Sequence, residues 1–226
     1  MSKRSDWLTD LSAAIAKRRW DICPKLLYRV LYGAPATDLL ALTAHMIERY
    51  WPSFESRWPS VKWPREIVTA PQDWILRFGR AVPDAPELER NSDAKFLFSL
   101  DAFLLAWSNL NDVSILASSC ACGILEAIGA MVLEGTDEKT FSRELATDQG
   151  CGCGSAKPRN PPLRDPGDPI ELARSREWQN FLDVLVTTNV VAYPDVPSLA
   201  QLEADLAHWE RHAMLLIVPE AAALLS

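Results

Sequence analysis

SDAKFLFSLDAFLLAWSNLNDVSILASSCACGILEAIGAMVLE, residues 92–134, decides how the rest of the chain is read. Phe96, Leu97, Leu100, Phe103, Leu104, Trp107 and Leu110 recur at steps of three and four, the spacing of one helical face. Phe98 and Leu105 lie off that stripe, so this helix is apolar over much of its circumference and needs covering on more than one side. Val113 to Leu133 continues with Glu126 as its only side chain fully charged at neutral pH. Between them NLND, residues 109–112, is a turn with Asp112 as the next N-cap, too short for anything but an antiparallel return or a sharp bend. The stretch predicts a central apolar helical hairpin over about 93–134.

Working outward toward the N-terminus, Ser5 is placed to cap a helix over Asp6–Trp20 that ends in Arg18 and Arg19. Pro24 opens a short helix stopped by Gly33, and Thr37 caps a third running to about Trp51. Pro52, Pro59, Pro64 and Pro71 then break the chain into short turns, with a helix from Pro71 to about Val82. Toward the C-terminus, Thr136 begins a short helix to about Ala146, and residues 148–169 are rich in Gly and Pro and read as an exposed loop. Asp168 and Pro169 restart the helix as cap and first-turn residue. The β-branched run Val184–Val191 reads as helix end and loop, because a lone strand has nothing to pair with. Ser198 caps a last helix carrying Leu199, Leu202, Leu206, Trp209, Ala213 and Leu216.

These readings agree on an all-α fold, an irregular helical bundle around the hairpin with a Trp- and Pro-rich helical N-terminal third. Residues 1–226 read as one domain, with a possible division into a basic part, 1–82, and an acidic helical core, 92–226. The net charge of −7 is unevenly spread: residues 1–80 carry 13 Lys or Arg against 8 Asp or Glu, whereas the rest carries 10 against 22. An acidic body of that kind repels nucleic acid and suits a protein partner with a basic surface. Asp6 and Asp10 interrupt any apolar leader, and five cysteines at irregular spacing do not form a disulfide framework, so the expected setting is a bacterial-type cytoplasm.

Several residue groups have the composition of a chemical site. Cys120 and Cys122 with Cys151 and Cys153 invite a four-thiolate metal site, but residues two apart on a helix point about 200° from each other, and one ion cannot take both. Cys151 and Cys153, in GCGCG, have a backbone free to bring two thiols together, for a soft metal or for thiol exchange. His208, His212 and Asp205 share one flank of the last helix and offer two nitrogens and an oxygen, with His45 or Glu48 as further ligands. Trp20, Trp51, Trp58 and Trp63 each follow a basic or aromatic neighbour, a pattern that single-stranded nucleic acid surfaces use and that helix ends also use to close a core. The 113–133 run could span a bilayer, but Glu126 near its centre and Asp101 in the preceding helix favour a buried hairpin, each carboxylate being exposed or bonded to Ser99, Ser118 or Ser119.

No phosphate loop, nucleophile elbow or dinucleotide fingerprint is present, and three histidines leave little acid-base chemistry. The expectation is therefore a non-catalytic protein-binding protein, of the adaptor, chaperone or toxin-neutralising type, without cofactor. The alternative is a metal- or thiol-dependent helical enzyme using His208, His212 and Asp205 or Cys151 and Cys153, with zinc or another transition metal as its ion.

Overall fold

A computed structural model describes residues 3–83, 91–134, 167–188 and Val190. Among these the chain is all helical: α1 (Lys3–Ala16), α2 (Cys23–Leu31), α3 (Ala36–Arg57), α4 (Trp63–Thr69), α5 (Pro71–Phe78), α6 (Asn91–Ser108), α7 (Val113–Leu133) and α8 (Pro169–Thr187). The β-branched run from Val184 continues α8 to Thr187, and no described residue forms a strand.

The predicted hairpin is the centre of the molecule. α6 and α7 make the most extensive pairing in the fold and run antiparallel, with Lys95 near the start of α6 bonded to Glu126 far along α7. Asp112 caps α7 as the turn chemistry requires, its carboxylate accepting from the Ile115 N–H at 2.9 Å. On one flank α3 lies against both helices, while α2 and α8 lie against α7, and α4 and α5 against α6. α1 closes the bundle over α2 and α8, burying Arg4, Trp7, Leu11, Ala14 and Ile15 along a single stripe. Phe96, Leu100, Leu104, Ala117, Cys120, Ile124 and Ala127 are fully buried at the hairpin's heart. α7 is long and apolar enough to cross a membrane by length and composition, and 67% of its most apolar window is buried inside this fold.

Close approach there depends on a glycine. A Cβ on Gly123 would meet Thr43 Cγ2 of α3 at 3.0 Å and the Ser99 carbonyl oxygen of α6 at 3.4 Å, so three helices converge where α7 has no side chain.

Four helices differ from the sequence expectation at one or both ends. Ser5 lies inside α1, which stops at Ala16. Arg18 then adopts the left-handed conformation at φ 54°, and the Arg19 N–H reaches back to the Ala14 carbonyl while the Arg18 N–H reaches Ile15, a Schellman ending in place of a longer helix. α3 begins at Ala36, after Pro35, and passes through Pro52 to Arg57. Pro52 and Glu48, whose carbonyl loses its helical donor, both face solvent, so water can take the missing bond while Trp51 and Phe54 hold the buried side. α5 ends at Phe78 rather than Val82 because Gly79 turns out of the helix at φ 67°. Ser92 is the second residue of α6 and is buried, so it does not cap from outside. By contrast, Asp168 caps α8 as expected, accepting from the Ile170 N–H at 2.9 Å.

Candidate functional site

The densest polar cluster joins the end of α3, the start of α6 and the end of α7. Asp93 falls three residues before Phe96 and four before Leu97, so helical phase carries it to the apolar face, where it has no solvent exposure. A carboxylate there needs donors, and four reach it. Tyr50 Oη donates to Oδ1 at 2.9 Å, Arg57 Nη2 to Oδ1 at 2.5 Å, Arg57 Nε to Oδ2 at 3.1 Å and Trp58 Nε1 to Oδ2 at 3.1 Å. Arg57 also donates to Tyr50 Oη, and through Nη1 to Glu134 Oε1 at 2.8 Å. The hydrogen bonds to Asp93, and after them those to Glu134, raise the Arg57 pKa against the opposing effect of burial. Burial pushes the Tyr50 phenol up as well, the buried Asp93 carboxylate adding to it. The arginine therefore stays charged and the tyrosine protonated. With every acceptor committed, the cluster supplies no free base and no nucleophile, and its chemistry is that of a three-way tie between helix ends.

A second set of ion pairs fastens α8. Glu171 accepts from Trp20 Nε1 at 2.7 Å and from Arg174 at 3.2 Å. Two turns on, Glu177 accepts from Arg49 of α3 at 2.8 Å and from Arg176 at 2.9 Å. Glu126, expected to face solvent or a serine, instead pairs with Lys95 Nζ at 2.9 Å, and the Lys95 stem lies over Gly129.

Those candidate ligands that lie among the described residues are not brought together. Cys120 is buried and Cys122 half-buried, in line with their opposed directions on α7. Desolvation pushes the Cys120 thiol up to about 12, a hydrogen bond with Thr43 pulling weakly the other way, and desolvation takes Cys23 to about 12 too. His45 and Glu48 sit exposed on α3. Cys151, Cys153, Asp205, His208 and His212 lie outside the described residues, and among those described no group of three metal-binding side chains converges.

The aromatic residues divide differently from the sequence pattern. None of the eight described tryptophans is exposed. Trp51 is buried beneath the Arg65 guanidinium, 4.7 Å from its centroid, and Trp63 rests on Trp74. Basic and aromatic interleaving here closes a core. Among the described residues the exposed aromatic rings are phenylalanines, Phe98 of α6 at 57% and Phe78 of α5 at 52%, with Leu76 at 77% beside the latter in sequence. Phe98 shares the outward side of α6 with the exposed Asp101, three residues on.

Asp93 and Arg57 belong to no motif in the sequence. The available signal was Asp93 standing in phase with an apolar stripe, whereas Arg57 was hidden by the expectation that α3 stops at Pro52. Comparison with known families, characterised proteins and solved structures gives no match for this chain.

Proposed function

We propose that this protein acts by binding another protein, as an adaptor, chaperone or toxin-neutralising partner in the cytoplasm, and that it presents an acidic and aromatic surface to a basic one. The observation that carries the reading is Phe98, more than half exposed on the innermost helix pair and accompanied by Asp101 on the same side. An aromatic ring at the surface gains apolar contact at small entropic cost when a partner covers it, and a neighbouring carboxylate favours a cationic rim. The excess of acidic residues beyond residue 80 acts in the same direction over longer range.

The test compares tagged wild-type protein with Phe98→Ala and Asp101→Asn as bait in a lysate, followed by reconstitution with the purified prey. The expected result is a stoichiometric basic prey that binds less well as salt rises. Phe98→Ala weakens its binding by about tenfold or more, the scale of a truncated aromatic anchor. A prey bound equally by all three baits, or no stoichiometric prey, overturns the reading.

A further inference from the structure

We draw no further inference here: the strongest candidate, the side-chain cluster of Tyr50, Arg57, Asp93 and Glu134 where α3 and α7 end and α6 begins, leaves none of its buried polar atoms without a partner and so shows nothing that a ligand would complete.

Discussion

Asp93 occupies a position that the phase of α6 gives to a hydrophobe, and the cost of burying it is offset only while all its donors remain. Asp93→Ala strands the Arg57 guanidinium against Tyr50 and should lower unfolding stability by about 3–5 kcal/mol, read as a fall in the urea midpoint. Glu134 is 31% exposed at the rim of the same cluster, where water screens it, so Glu134→Gln should cost no more than about 1 kcal/mol. Equal losses in the two variants would contradict the hierarchy drawn from burial. The buried thiols give a pH dependence of definite sign. Below their ordinary value near 9, Cys23 and Cys120 are protonated whether the chain is folded or not; between that value and about 12 only the unfolded chain releases the protons. Their contribution is thus intact below pH 9 and is lost as pH climbs toward 12. Wild-type protein should lose more stability between about pH 8 and about pH 10 than the Cys23→Ala, Cys120→Ala double variant, each measured by urea unfolding.

Helices reveal themselves in a sequence when their ends and faces are written in local chemistry, and α7 and α8 are the clear instances here. Asp112 and Asp168 each stand before their helix and cap it in the structure. The hairpin was equally plain, because the three-four spacing of α6 needs nothing beyond its own residues. What the sequence hid was decided by packing across the chain. Pro52 reads as a stop, yet the buried Trp51 and Phe54 carry α3 past it, and the cost is met on the solvent side. Pro52→Ala removes no core contact and restores a backbone donor, so it should raise stability by about 1–3 kcal/mol in thermal or urea unfolding. A loss instead would mean that Pro52 itself is required to seat Arg57. The two glycines of α7 make a sharper comparison. Gly123→Ala sets a methyl tightly against Thr43 Cγ2 and should cost about 1–3 kcal/mol, since Thr43 is fully buried with its hydroxyl donating to the Leu39 carbonyl at 2.8 Å and has little room to step aside. Gly129→Ala meets only the flexible Lys95 stem, and its gain in helix propensity of up to about 1 kcal/mol should leave it neutral or stabilising. Sequence gave no means of ranking these two positions, because the difference lies in what faces them.

At the scale of the molecule, fold class was legible and the Asp93 cluster was not, while Cys151, Cys153, Asp205, His208 and His212 lie outside the described residues. Apolar periodicity, proline punctuation and caps all agree on a helical bundle, whereas a ligand set depends on which helices meet, and Cys120 and Cys122 show how about half a turn of phase separates neighbours in sequence. We expect protein purified without added metal to contain no stoichiometric zinc, iron or copper by elemental analysis. One metal per chain that is lost in His208→Ala and retained in Cys151→Ser would replace the binding reading by the enzymatic one, and the reverse pattern would point to the thiols. The fold also joins distant parts of the chain. Arg4, fully buried in the first turn of α1, donates to the carbonyl of Tyr32 at 2.5 Å and to that of Val190 at 3.4 Å. A ribosome makes Val190 186 residues after Arg4, so for that stretch of synthesis half of the arginine's receptor does not yet exist. α1 is therefore fully seated only after α8 and Val190 have been made, and until then a nascent chain leaves open to proteases a helix that the finished molecule keeps covered.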